Sequence, residues 1–468
     1  MNTTKERSMF IGRERELRQL TQYYQTNSLQ LAVLYGRRRV GKTSLIQEFC
    51  KGKEALYFSA METNALQNLA CLNHVLSAQL KGRQDQPPFP SFETALEYIF
   101  ELSCSEHFIL ILDNYPCLAK TAKHISAAIS DLMKKYEGHS RLFLLICGTS
   151  NTVMDQQLFL QKSPLYGKPA LTILLKPFDF FECRKFFRNF SAIDMAYIYG
   201  IVGGIPQYLL AMNERLSVED NIKATFFNPS SRIYEEPSVI LRQEVREPAL
   251  YNAILSAIAN GASKLSEISS VIDEETSVGA AYLKTLLSMG IVRKETPLTD
   301  PSVKKTIYRI DDPLFRFWFR FLPQHLSEIN RGQAASAYHQ IEPQMQEYMG
   351  DVFEDICRQY LQNLSLAGKL PSPVTDIGCW WGTDPFSREK LKVDILAVSE
   401  EKEIAYFGSC FWTNQKTDEK HLRNLIEQSN FFPQKKKYYY LFAKNGFTRD
   451  CYDLANQLET VTLVSFSK

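Results

Sequence analysis

Gly36-Arg37-Arg38-Arg39-Val40-Gly41-Lys42-Thr43, entered by the apolar run Leu31-Ala32-Val33-Leu34-Tyr35, decides how the first third of this chain is read. It satisfies G-x-x-x-x-G-K-[ST] at every fixed position, and its surroundings read as a strand over 29–35 and a helix starting at 43–50. Glycines let the backbone bend tightly, so that successive N–H groups and the helix N-terminus can face phosphate oxygens. Arg37, Arg38, Arg39 and Val40 fill the loop between the glycines, and Ser44 follows in the first helical turn. Lys42 is expected to reach the β- and γ-phosphates, and Thr43 to place its hydroxyl on Mg²⁺. The stretch predicts binding of a nucleotide with Mg²⁺.

A phosphate loop of this kind needs an acidic partner at the tip of a neighbouring strand. Phe108-Ile109-Leu110-Ile111-Leu112-Asp113 offers one, with Asp113 placed to hold Mg²⁺ through its water shell. Hydrolytic proteins of this broad class usually follow that Asp with a Glu that polarises water. Here Asn114 follows, and an amide cannot accept a proton. Binding without fast turnover is the expectation, and a Glu restored at 114 is expected to raise turnover. The strand over 141–148 runs into Thr149, Ser150 and Asn151, which suit either a γ-phosphate sensor or an ordinary turn.

Strand-like runs at 29–35, 55–59, 108–112 and 141–148 alternate with helix-like runs at 14–26, 65–80, 92–104 and 126–136. That order predicts an α/β fold with a parallel sheet covered on both faces. Beyond Pro177 the pattern turns helical, and 229–237, with Pro229, Ser230, Ser231 and Pro237, reads as a linker. Helices at 249–259, 264–271 and 276–289 precede short strands at 291–295 and 306–310, which is the order of a winged helix. A second α/β pattern opens near Tyr348, with a helix at 350–363, strands at 392–398, 404–412 and 437–443, and a helix at 419–428.

The chain resembles the archaeal-type ATPases, on the STAND-like branch of AAA+-related P-loop proteins. Phe10-Ile11-Gly12-Arg13-Glu14, Gly36 to Thr43 and Leu112-Asp113-Asn114-Tyr115-Pro116 carry the resemblance. So do Ser163-Pro164-Leu165-Tyr166-Gly167, Gly203-Gly204-Ile205-Pro206-Gln207-Tyr208-Leu209, and Asp312-Pro313 with Arg316-Phe317-Trp318-Phe319-Arg320. It implies four domains: a P-loop ATP-binding domain (1–176), a helical lid and linker (177–240), a winged helix (241–325) and a nuclease-like α/β domain (326–468). It also implies that Phe10, Ile11 and Gly12 border the adenine and that Gly204 and Pro206 close the pocket. Two departures stand out: Asn114 replaces the family's Glu, and Lys168 stands where Arg is common, which keeps the charge but loses the planar fork.

The C-terminal part resembles PD-(D/E)XK nucleases, in which a helix Glu, a strand Asp and an acidic-x-Lys triplet hold Mg²⁺ and stabilise phosphate charge. Glu354 and Asp394 match the first two positions, but Gly408-Ser409-Cys410-Phe411-Trp412 puts Ser409 and Phe411 where the carboxylate and the lysine belong. The fold is expected without the cleavage chemistry. Trp380-Trp381-Gly382 fits the same family context, and also plain packing. Lys435 to Lys437 read as a solvated strand edge.

Partners follow from charge. Lys and Arg number 54 against 52 Asp and Glu over 468 residues, so no polyelectrolyte character points to nucleic acid or membrane. Within 241–310 there are nine basic and eight acidic residues, with Arg293, Lys294, Lys304 and Lys305 in the wing. That balance argues against strong autonomous DNA binding. The aromatics Phe315, Phe317, Trp318, Phe319 and Phe321 suit a core better than a stacking platform. Ten scattered cysteines without a C-x-x-C pair, no apolar leader and no bilayer-length apolar run suit a cytoplasmic protein with free thiols. The leading expectation is an ATP-binding switch or slow ATPase with a protein partner. A DNA-binding regulator with structural ATP and an active ATP-dependent nuclease are the alternatives.

Overall fold

The computed structural model describes residues 10–79, 87–149, 154–299, 305–383, 388 and 390–467. Ser150, Asn151 and Lys304 lie outside the described residues. The chain forms two compact units, one drawn from Met1–Pro177 with Ile205–Gln207, the other from Phe178–Gly204 with Tyr208–Lys468.

The first unit is built on five parallel strands: β1 (Gln30–Gly36), β2 (Ala55–Ser59), β3 (Ile109–Asp113), β4 (Phe143–Thr149) and β5 (Leu171–Leu175). They lie side by side in the order β2-β3-β4-β1-β5. Successive side chains on a strand point to opposite faces. Leu144 and Ile146 therefore join the core under α3 (Ala65–Gln79), α4 (Phe92–Ser105), α5 (Tyr115–Thr121) and α6 (Ile125–Lys135). Phe143, Leu145 and Cys147 join the core under α1 (Glu14–Tyr24) and α2 (Lys42–Phe49). Because both faces are covered, the central strands are continuously apolar instead of alternating. Register pairs Gly36 with Thr149 and Leu112 with Ile146, which brings Gly36, Asp113 and Thr149 to one carboxyl edge. The edge strand β5 is not anticipated from the sequence: only Leu171, Ile173 and Leu175 are buried, and its neighbours Thr172 and Leu174 face solvent.

In the second unit the segment read as a linker is instead a helix, Arg232–Glu244. The Ser231 hydroxyl caps it by accepting from the Ile233 N–H, and Ile233, Pro237 and Leu241 bury one face at a spacing of four. That packing outweighs the backbone hydrogen bond Pro237 cannot make. Downstream, helices Pro248–Ala259, Leu265–Val271 and Thr276–Ser288 precede the antiparallel pair β6 (Val292–Glu295) and β7 (Ile307–Ile310). One core unites these elements through Ile254, Leu255, Ile268, Leu283, Leu286 and Ile310. The Pro313–Asn330 helix adds Phe315 and Phe319 to it, and Phe317 and Phe321 are equally buried. Trp318 keeps its indole N–H satisfied at 2.8 Å from the Tyr234 carbonyl.

The remaining strands are β8 (Val374–Thr383), β9 (Lys390–Ser399), β10 (Ile404–Phe411), β11 (Lys436–Ala443) and β12 (Val461–Ser465). They form one mixed sheet in the order β12-β11-β10-β9-β8, antiparallel from β8 to β10 and parallel from β10 to β12. Helices Glu419–Ser429 and Arg449–Asn456 are the crossovers of its parallel half and pack on one face. All ten cysteines are free. Among the described residues, no helix is long and apolar enough to cross a membrane.

A dense ion cluster joins the β6–β7 pair to the Met345–Leu366 helix. Asp355 receives Arg293 at 3.0 Å, Arg316 at 3.2 Å and Arg358 at 3.4 Å. These three guanidinium groups hold its carboxyl well below the usual carboxylate range, against the opposing effect of burial. Arg309 adds pairs to Glu295 at 3.2 Å and Asp351 at 3.0 Å. Arg293, one of the basic residues of the expected wing, is thus paired with carboxylates, as is Arg309. Replacing one partner of such a buried pair strands the other charges. Asp355→Ala is therefore expected to lower stability by about 3 kcal/mol, read as a fall in the denaturation midpoint.

Candidate functional site

The phosphate-loop sequence sits where β1 ends at the carboxyl edge of the first unit. Its two glycines do different work. A Cβ on Gly36 would stand 2.3 Å from the Leu175 carbonyl oxygen, so only glycine lets β1 pass β5 there. Gly41 has φ 97°, a left-handed conformation that strains other residues, and Arg39 also turns left-handed with φ 67°. The α2 helix starts at Lys42 without a side-chain cap, leaving its first N–H groups to face the loop. The Lys42 ammonium folds over the loop and donates to the Gly36 and Arg37 carbonyls at 2.9 and 2.8 Å.

Arg13 locks this loop from behind. Gly12 and Arg13 both have positive φ, 71° and 66°, and the pair of left-handed residues turns the Arg13 side chain inward. Its Nη2 donates to the Val40 carbonyl at 3.3 Å and to the Lys176 carbonyl at 2.7 Å. Only 5% of Arg13 is exposed. The sequence marks Arg13 as part of a motif but assigns it no role. The pairing with Val40 is 27 positions away, and that with Lys176 is 163 away, beyond the reach of local pattern.

Asp113 is met by a residue the sequence reading passes over. Tyr57, on β2, donates its hydroxyl to Asp113 Oδ2. Burial, followed by the Asp113 carboxylate, holds the Tyr57 phenol well above its ordinary value, so it remains a donor. The Asp113 Oδ1 accepts the Asn114 N–H at 2.8 Å. The Cys147 thiol beside Asp113 is also pushed up, first by burial and then by that carboxylate. Tyr57 carries a faint sequence signal, the one phenol in Ala55-Leu56-Tyr57-Phe58-Ser59.

Asn114 occupies left-handed backbone at φ 54°, where asparagine is tolerated better than most residues, and its Nδ2 donates to the Ala60 carbonyl at 2.9 Å. A Glu at 114 would bring a carboxylate to that carbonyl and strain the backbone, so the substitution is not a simple restoration of a base.

The remaining expected site residues divide between the units. Phe10 packs on the core under α1 and α2, close in sequence to Ile11 and Gly12. Pro206 borders the loop, with its Cγ 3.6 Å from where a Gly41 Cβ would stand. Gly204 belongs to the second unit, where a Cβ would fall 1.8 Å from the Phe178 carbonyl oxygen. Lys168 lines a cavity with Ser28, Lys134 and Arg141, at the amino edge of the first unit's sheet and thus opposite the phosphate loop.

Residues 10–212 match the family described as an ATPase domain predominantly from Archaea. Residues 318–422 match a family described as "Archaea bacterial proteins of unknown function". The chain is 28% identical over 442 residues to an uncharacterized protein of Methanocaldococcus jannaschii, spanning 93% of this chain and 96% of that one. A 46-residue stretch is 48% identical to an uncharacterized ATP-binding protein of the same organism, spanning 10% of this chain and 78% of that one. Among solved structures, a Walker-type ATPase of Pyrococcus abyssi is similar in fold, with a TM-score of 0.51 and 20% identity over 67% of this chain and 97% of that one.

The Arg13 contacts make a measurable demand. A charged donor to buried carbonyls contributes about 2 kcal/mol. Arg13→Ala is expected to cost about that much in equilibrium unfolding of the protein, and an unchanged midpoint would deny Arg13 its place behind the loop. The loop and the parallel sheet thus lie within residues 10–212, the stretch that matches the family described as an ATPase domain predominantly from Archaea.

Proposed function

We propose that this protein binds Mg·ATP at Gly36 to Thr43 and hydrolyses it slowly, using the nucleotide as a switch for the rest of the chain. The observation that carries the reading is the placement of the loop with Lys42 and of Asp113 at one carboxyl edge of the sheet, where Tyr57 donates to Asp113. An incoming phosphate replaces the Gly36 and Arg37 carbonyls as the partner of Lys42. Thr43 and Asp113 would hold Mg²⁺, which would supply neutralisation of phosphate charge. Arg37 to Val40 and Ser44 supply loop and helix N–H groups. Phe10 to Gly12 border the adenine, and Pro206 closes over it.

Slow turnover rests on Asn114. Its amide is committed to the Ala60 carbonyl and takes no proton. Base assistance typically supplies about 10² to 10⁴ in rate, so binding persists where hydrolysis is weak. We assign the domains as 1–176 for ATP binding, 177–240 for a helical lid that ends within the 232–244 helix, 241–325 for a winged helix and 326–468 for a nuclease-like domain. The three helices with β6 and β7 support the winged-helix reading, and the mixed sheet β8–β12 with its crossovers supports the nuclease-like one.

Two other readings receive less support. A DNA-binding regulator needs outward basic side chains, whereas Arg293 and Arg309 are paired with carboxylates. A cleaving enzyme needs the groups that Ser409 and Phe411 replace. A protein partner suits the module better than DNA.

The test is nucleotide affinity by calorimetry together with steady-state phosphate release. Lys42→Ala is expected to weaken ATP binding by about ten-fold or more, as a lost charge-assisted contact. The wild type is expected to bind ATP and release phosphate slowly. Unchanged affinity in the variant, or fast release by the wild type, would refute the reading.

A further inference from the structure

Among the described residues, no group of three or more His, Cys, Asp or Glu side chains is arranged to hold a metal ion. Two carboxylates nevertheless converge in the second unit: Glu354, from the Met345–Leu366 helix, and Asp394, from β9. Lys392 Nζ lies 3.0 Å from Asp394 Oδ1 and also donates to Glu354 Oε1. The second Asp394 oxygen accepts the Cys410 N–H at 3.0 Å. The second Glu354 oxygen has Arg358 Nη2 at 3.9 Å. All four carboxylate oxygens thus face a donor, and two of the donors are cations.

Lys392 precedes Asp394 by two residues on β9, and the strand's period of two puts both side chains on one face. Its ammonium enters from the solvent side, with 44% of the side chain exposed, whereas Glu354 keeps 12% and Asp394 21%. We infer that Lys392 is the resident cation of this carboxylate pair, and that the pocket admits no divalent metal while Lys392 is in place. The inference goes beyond the proposed function and does not depend on the nuclease-like reading, since it needs only these contacts.

Competition explains the exclusion. A divalent ion such as Mg²⁺ demands several oxygen ligands in near-ideal geometry. Here it would have to displace a tethered ammonium, approach Arg358, and find its remaining ligands in water. Removing Lys392 leaves two facing carboxylates with no cation between them, an arrangement that takes up a proton or a metal ion.

The test measures Mn²⁺ binding to the nucleotide-free full chain, above neutral pH, by electron paramagnetic resonance. The Asp394→Asn variant serves as reference, so that only binding dependent on Asp394 is counted. Wild type and Lys392→Arg are expected to show none. Lys392→Met is expected to gain Asp394-dependent Mn²⁺ binding tighter by about ten-fold or more, because one positive charge a few ångströms away has been removed. Asp394-dependent binding in the wild type, an equal gain in Lys392→Arg, or no gain in a natively folded Lys392→Met would overturn the inference. If Lys392→Met loses its native circular dichroism, the comparison of wild type with Asp394→Asn decides alone.

Discussion

The Leu175 carbonyl stands where a Cβ on residue 36 would have to be, and this close approach sets the path of the whole phosphate loop. With β1 and β5 so near, the chain leaves β1 along a single course, and Arg13 fixes that course by bonding the Val40 and Lys176 carbonyls. Both anchors act on backbone atoms. The loop therefore presents its N–H groups through a frame of main-chain contacts. The same edge of the sheet receives Asp113, because β4 lies between β1 and β3 and keeps their registers aligned.

Much of this was legible in the sequence, for a physical reason. The phosphate loop, its strand and its helix are local in sequence, and Ile109 to Leu112 and Phe143 to Cys147 are apolar because both faces of a parallel sheet are buried. What stayed hidden depends on distance along the chain. Tyr57 meets Asp113 across 56 positions, and Arg13 meets Lys176 across 163. The edge strand β5 buries only alternate residues and follows a Ser-Pro turn region, so its pattern is too weak to separate from a loop. The 232–244 helix was masked by Pro237, whose usual meaning as a breaker gives way to a buried face at Ile233, Pro237 and Leu241.

Charge shows the same limit. A near-even count of basic and acidic residues does not disclose which of them pair. In the second unit Arg293, Arg309, Arg316 and Arg358 converge on Asp355, Glu295 and Asp351, so these side chains are spent on internal contacts. Lys392 is a further instance, since its place two residues before Asp394 is unremarkable until the Glu354 helix packs beside it. Two neighbouring clusters in this unit thus use cations as structural counter-ions.

The central claim is that nucleotide is held chiefly by its phosphates, through the loop that Gly36, Arg13 and Lys42 organise. A direct measurement compares the equilibrium affinities of ATP, ADP and adenosine for the wild-type protein in the presence of Mg²⁺. The account predicts that ATP and ADP bind far more tightly than adenosine, each charged contact to a phosphate being worth about 1.5 to 3 kcal/mol. Equal affinity for adenosine and ATP, or no binding of ATP, would contradict it.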